Sequence, residues 1–288
     1  MQWDYLAIVA VSSLTSASVL IIATLGLAVI FGLMGVINLA HGEFIMIGAY
    51  AALIATRAGL PLPLAFLVAA LVAALFGAIV ERLIIRRLYG RLLDTLLATW
   101  GLSLVLYQTA VLIFGSTTPG VGLPLANVSI GRYSISVYFL FLVAAAAILL
   151  LVTYLILTRT SYGIMARASI QDRETASAVG IETGRINTLT FAFGAGLAGL
   201  AGGLLVPAFP ATPGMGVAFV AKAFLAVVVA GPLAVSGTAI AAGALGWGAS
   251  ATASYLSTVM GDITFFVATI LLLRVFPNGI TDKWRLKL

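Results

Sequence analysis

Long apolar stretches separated by short polar ones make up most of this chain. Runs near 8–32, 62–81, 94–115, 136–158, 187–206 and 260–276 are long enough to cross about 30 Å of hydrocarbon as helices. Shorter or interrupted runs fall near 40–56, 216–231 and 234–256. The pattern predicts an all-α fold, a polytopic membrane bundle of 8–9 transmembrane segments built as a single domain over 1–288. The count turns on a glycine-broken region before residue 45.

That region is the most informative in the chain. Residues 33–45 read Leu-Met-Gly-Val-Ile-Asn-Leu-Ala-His-Gly-Glu-Phe-Ile and place Asn38, His41 and Glu43 among apolar neighbours, with Gly35 and Gly42 loosening the backbone. A charged side chain at the centre of a membrane helix costs roughly 2.5–3.5 kcal/mol on insertion scales. Such groups persist where they line a pathway, meet a partner helix or satisfy a broken one. Two readings stay open: a helix break in which Asn38 and His41 bond freed backbone groups, lining a pathway, and a proton relay through His41 and Glu43.

Composition narrows the chemistry. Charged residues make up only 8% of the 288 positions, against about 25% in a soluble domain. There is no cysteine and a single histidine, so an ordinary structural zinc site is excluded, and the H-E-x-x-H pattern is absent. No nucleophile stands at a convincing spacing from a base. The expectation is a non-catalytic chain with no metal and no cofactor.

The net charge of +6 forms no contiguous basic face, which argues against a nucleic-acid partner. Twelve of the fifteen basic residues fall into three clusters. These are Arg82, Arg86, Arg87 and Arg91; then Arg159, Arg167, Arg173 and Arg185; then Arg274, Lys283, Arg285 and Lys287. Nine crossings put all three clusters on one side, which the positive-inside rule makes cytoplasmic, with the N-terminus out and the C-terminus in. Arg57 and Arg132 fall on the other side and Lys222 within a span. Asp4 precedes the first apolar run without any Lys or Arg, unlike a cleavable signal peptide, so that segment is expected to be retained.

Other polar positions inside the spans are candidates for a translocation pathway. Thr99, Trp100 and Gln108 share one segment, and Lys222 and Asp262 lie in or beside late spans where they can pair across helices. Ala195, Gly199 and Gly203 repeat every four residues, the small-xxx-small pattern of close helix packing in lipid.

The loop 159–186 is the second informative stretch. Ser169 with Asp172 three residues on suggests a helix start, and Gly180 is placed to end that helix in a left-handed cap. The short helix between them puts Ala176 and Val179 on one side and leaves Asp172, Arg173 and Glu174 exposed. It has the shape of a cytoplasmic docking element; a solvated connector is the alternative.

The run from Gly32 to Tyr50, Gly-Leu-Met-Gly-Val-Ile-Asn-Leu-Ala-His-Gly-Glu-Phe-Ile-Met-Ile-Gly-Ala-Tyr, resembles the signature of permease subunits of branched-chain amino acid and urea ABC importers. The resemblance covers nearly the whole chain. The loop is also similar to the ABC permease coupling pattern Glu-Ala-Ala-x-x-x-Gly, here Glu174-Thr175-Ala176 and Gly180, with Thr175 replacing an alanine. The resemblance implies ATPase coupling through Arg167, Asp172, Arg173, Glu174, Ala176 and Gly180. It also implies a bacterial inner-membrane location, a second related permease subunit as heterodimer partner, two ATP-binding subunits and a periplasmic binding protein. No phosphate loop is present, so ATP hydrolysis belongs to a partner.

Two stretches resemble the urea and short-chain amide branch: Leu93-Asp94-Thr-Leu-Leu-Ala-Thr-Trp-Gly-Leu-Ser-Leu and Val179-Gly-Ile-Glu-Thr-Gly-Arg185. The 230–238 and 274–280 segments depart from the family's glycine-rich loop and its usual ending. The resemblance of the first two stretches favours urea or short-chain amides as cargo, with branched-chain amino acids as the alternative. A proton-coupled secondary transporter and a urea channel are the rival classes; neither needs an ATPase, and the transporter leaves the 169–180 helix unexplained.

Overall fold

The computed structural model describes residues 2–116, 120–231 and 234–282. Each of the nine apolar runs forms a helix. The first five are α1 (Gln2–Met34), α2 (His41–Arg57), α3 (Leu62–Leu83), α4 (Leu92–Phe114) and α5 (Val137–Arg159). Two shorter helices, α6 (Ser161–Gln171) and α7 (Arg173–Ala178), lead to α8 (Thr183–Leu205), α9 (Met215–Ala230), α10 (Ala234–Tyr255) and α11 (Thr258–Val275). Among the described residues, six helices are long and apolar enough to cross a membrane: α1, α3, α4, α5, α8 and α11. With 17 and 16 residues, α2 and α9 are shorter. The basic residues Lys283, Arg285 and Lys287 lie outside the described residues.

The helices fit the expected all-α bundle, with one short addition. Strands β1 (Asn127–Ile130) and β2 (Tyr133–Ser136) form an antiparallel hairpin between α4 and α5. Its two-residue turn is Gly131-Arg132, with φ +60° at Gly131, and a glycine in that first central position suits a II′ turn. Ser136 then caps α5 by accepting from the Tyr138 N–H at 3.2 Å.

Small residues on α8 decide how the bundle packs. A Cβ on Gly199 or Gly203 would run into Ala69 of α3, and one on Gly77 would meet Ala195. The predicted Ala195–Gly199–Gly203 stripe is therefore the α3 seam. Gly194 sits against Gly26 and Ile30 of α1, and Gly202 against the backbone of Ile45 and Ala49 in α2. Without a hydrophobic driving force between helices in lipid, such backbone approach maximises van der Waals contact. It makes α8 the axle of the fold.

The two ends of the bundle differ. At one end Arg86, in the turn after α3, reaches the Gly184 carbonyl at the start of α8 (3.3 Å), and α6 and α7 lie beside it. At the other end Tyr5 donates to the Ser254 carbonyl at 2.7 Å and packs against Tyr133 of the hairpin.

Candidate functional site

The break between α1 and α2 is built from its own polar residues and from α4. Gly35 takes φ +63° and ends α1, its N–H bonding the Phe31 carbonyl at 2.9 Å. Asn38 Oδ1 accepts from the Ala40 N–H at 3.1 Å, the local Asx-type bond that lets asparagine stand in for a helix hydrogen bond. Across from it, Thr99 Oγ1 of α4 accepts from the Leu39 N–H at 3.1 Å and lies 3.3 Å from the Ile37 carbonyl. Part of the freed backbone, at Ile37, Leu39 and Ala40, is thus met by protein side chains, which lowers the cost of a break inside a membrane.

His41 and Glu43 face different neighbours. His41 is fully buried, its Nε2 2.8 Å from the Ala23 carbonyl of α1; a carbonyl only accepts, so Nε2 carries the proton. Glu43, 2% exposed, takes the Ser103 hydroxyl on Oε1 at 2.8 Å. No hydrogen bond links His41 to Glu43, so the relay reading gains no direct route. Asn38 Nδ2, His41 Nδ1 and Glu43 Oε2 are buried without a protein partner, an unusual concentration of unsatisfied groups.

The other expected pathway residues do not join this cluster. Trp100 is 53% exposed and Gln108 is exposed, both turned outward from α4, because Thr95, Thr99 and Ala110 occupy its buried face. Lys222 lies elsewhere, on α9, where its Nζ pairs with Asp262 Oδ1 of α11 at 2.6 Å. Both line a cavity of about 630 Å³ toward the hairpin end of the bundle, together with Thr15, Phe139, Pro210 and Thr258.

The α6–α7 corner differs from expectation in detail. Ser169 starts no helix: it sits inside α6 and donates to the Met165 carbonyl. The cap is Asp172, whose Oδ1 accepts from the Glu174 and Thr175 N–H groups at 3.0 Å and whose Oδ2 takes the Thr175 hydroxyl at 2.6 Å. Those bonds, the Thr175 hydroxyl first, hold its carboxyl below the usual range. Ala176 is buried as expected, but Val179 is 72% exposed, because the chain has already left the helix there. Gly180, at φ +90°, ends α7 with paired bonds, Ile181 N–H to Ala176 and Gly180 N–H to Ser177, the Schellman arrangement. Arg167 is tied to its own helix through the Gly163 carbonyl, and Glu174 is exposed.

One group at this end escaped the sequence reading. Glu81, fully buried at the foot of α3, receives Arg86 at 3.2 Å, the Tyr89 hydroxyl at 2.5 Å and the Thr188 hydroxyl of α8 at 2.6 Å. Burial, then the bond to Glu81, pushes the Tyr89 phenol upward. The signal was present as a lone acid among arginines, but a cluster of arginines reads as a topology marker.

Comparison with known proteins places this arrangement. The profile of the family described as branched-chain amino acid transport system / permease component matches residues 9–276. The chain belongs to this permease family. The permease is 30% identical over 94% of both chains to the high-affinity branched-chain amino acid transport system permease protein LivH of Salmonella typhimurium. It is also 30% identical to the Pseudomonas aeruginosa permease BraD, over 95% of this chain and 94% of that one. A probable LivH of Methanocaldococcus jannaschii is 27% identical over 93% of this chain and 90% of its own. No solved structure matches the permease. These relatives support the branched-chain alternative and lend nothing to the urea and amide reading.

Proposed function

We propose that this permease forms one half of the membrane pathway of a bacterial ABC importer for branched-chain amino acids. What carries the reading is similarity along nearly the whole chain to proteins named for that transport. On this reading the chain sits in the inner membrane with its N-terminus outside, beside a second related permease. Two ATP-binding subunits engage α6–α7, and an extracytoplasmic binding protein delivers cargo at the hairpin end. The polar break around Asn38, His41 and Glu43 lines the route or hinges it, with Thr99 holding it to α4.

Several features suit coupling at the α6–α7 end. Asp172, Glu174 and Gly180 shape a short exposed helix, while Ala176 anchors it. Arg173 then connects that helix to the turn after α3.

Calorimetry on the partner binding protein with leucine, urea and acetamide tests the cargo. Micromolar or tighter leucine binding with no urea signal is expected. Urea or acetamide binding without leucine overturns the branched-chain reading and restores the amide one.

A further inference from the structure

Two opposite charges inside a cavity are the feature that neither the helix break nor the α6–α7 corner explains. Lys222 and Asp262 bridge α9 and α11 at 2.6 Å, yet their side chains keep 35% and 48% of their surface open. The opening is the cavity of about 630 Å³, a size within the roughly 300–1,000 Å³ of small-molecule sites. Its walls are mostly apolar, with Phe139 from α5, Phe209 from the α8–α9 loop, Phe219 from α9 and Phe265 from α11, interrupted by hydroxyls such as Thr15 and Thr258. A pair serving only to clamp two helices needs no such room beside it.

Charge arithmetic selects the ligand. A carboxylic acid binding Lys222 deprives Asp262 of its partner, and an amine binding Asp262 deprives Lys222 of its own, so the attraction lost offsets the attraction gained. A zwitterion leaves neither alone. Its carboxylate meets Lys222, its ammonium meets Asp262, and one ion pair becomes two with no change in net charge. An aliphatic side chain then lies against Phe139, Phe219 and Phe265. Because the pair re-forms when the ligand leaves, the exchange holds cargo without trapping it, as passage demands.

We propose that Lys222 and Asp262 form a transit site for a zwitterionic amino acid with an apolar side chain. The proposal rests on the branched-chain reading and adds the residues that recognise the α-amino and α-carboxyl groups inside the membrane.

The test is equilibrium binding of radiolabelled leucine to the purified permease–ATPase complex in nanodiscs, without binding protein. Unlabelled leucine should compete, while 4-methylpentanoate and 3-methylbutylamine, which each keep one charged group, should not compete at tenfold higher concentration. Lys222→Gln and Asp262→Asn should each weaken leucine binding at least tenfold. Each variant should also admit one half-molecule: the amine in Lys222→Gln, where Asp262 is released, and the acid in Asp262→Asn. A merely structural pair does not produce that crossed pattern. Should either variant fail to assemble, the competition series on the unaltered complex still decides. No leucine binding to that complex, equal competition by a half-molecule, or unchanged affinity in both variants overturns the proposal. Calorimetry on the binding protein separates the two readings: leucine bound there but not here removes only the transit site, and no leucine there removes the cargo reading as well.

Discussion

The guanidinium of Arg173 lies 5.6 Å from the ring centre of Tyr89, and the Tyr89 hydroxyl donates to buried Glu81. A cation over an aromatic face is attracted to it, so α7 is joined to α3 and, through Thr188, to α8. Glu81→Ala takes the acceptor from the Tyr89 hydroxyl and the carboxylate from Arg86, while the Thr188 hydroxyl keeps the Gly184 carbonyl at 3.0 Å; losing a bond to a charged group costs about 1.5–3 kcal/mol. The purified complex should unfold at a lower temperature and transport at least tenfold more slowly, with Glu81→Gln intermediate. Unchanged melting and uptake in Glu81→Ala would remove the network from any structural role.

At Gly180 the backbone needs φ +90°, where proline cannot go and other residues are strained. Gly180→Pro also deletes the N–H that bonds Ser177. Together with Glu174→Arg, which reverses a charge on the exposed face, it should abolish ATP-driven uptake while membrane levels stay normal. Full uptake by both variants at equal expression shows that α7 is only a connector.

Asp172 gives this corner its pH dependence. Its carboxyl is held low in the folded chain, so its capping contribution is complete above the ordinary carboxylate range of about 4. That contribution is lost as pH falls through the lowered value. Hydrogen exchange at the amides of Glu174 and Thr175 should therefore show constant protection from pH 8 to pH 5, after correction for intrinsic rates. Asp172→Ala should remove that protection across the whole range.

Glycines on the bundle axis separate sharply from others. A Cβ on Gly48 would collide with the Gly199 backbone, whereas one on Gly248 meets nothing within 4 Å. Gly48→Val is expected to abolish assembly, judged by size-exclusion chromatography. Gly248→Ala should be neutral or gain up to about 1 kcal/mol, since glycine inside a helix costs that much against alanine.

Accessibility labels test the orientation. Cysteines placed near Arg87 and Ser169 should react only from the cytoplasmic side, and those near Pro124 and Pro210 only from outside. An external signal at either of the first two overturns the N-terminus-out arrangement.

The nine helices were legible because an apolar run long enough to leave water needs no knowledge of its neighbours. The polar break was legible for the complementary reason: Asn38, His41 and Glu43 are conspicuous only against that background. What sequence could not supply was direction. Thr99 and Trp100 are adjacent, yet one is buried and the other exposed, because the packing of α4 beside the break sets which face turns inward. The cap was misplaced because Ser169 and Asp172 both offer a capping oxygen, and α6 claims Ser169 for its own interior. The hairpin escaped notice because ten residues of mixed polarity between long helices carry little periodic signal.

The seams of α8 have a mechanical consequence. Along Gly194, Gly199 and Gly202 it comes within reach of the backbones of Gly26, Ala69 and Ile45 in α1, α3 and α2, and the side chains at these contacts are the Ala73 methyl and the β-branched Ile30, which have little rotamer freedom with which to absorb strain. These four helices should behave as a single stiff rod. Torque applied where α7 feeds into α8 would reach the opposite face of the membrane almost undamped, and compliance would be left to the outlying helices around it.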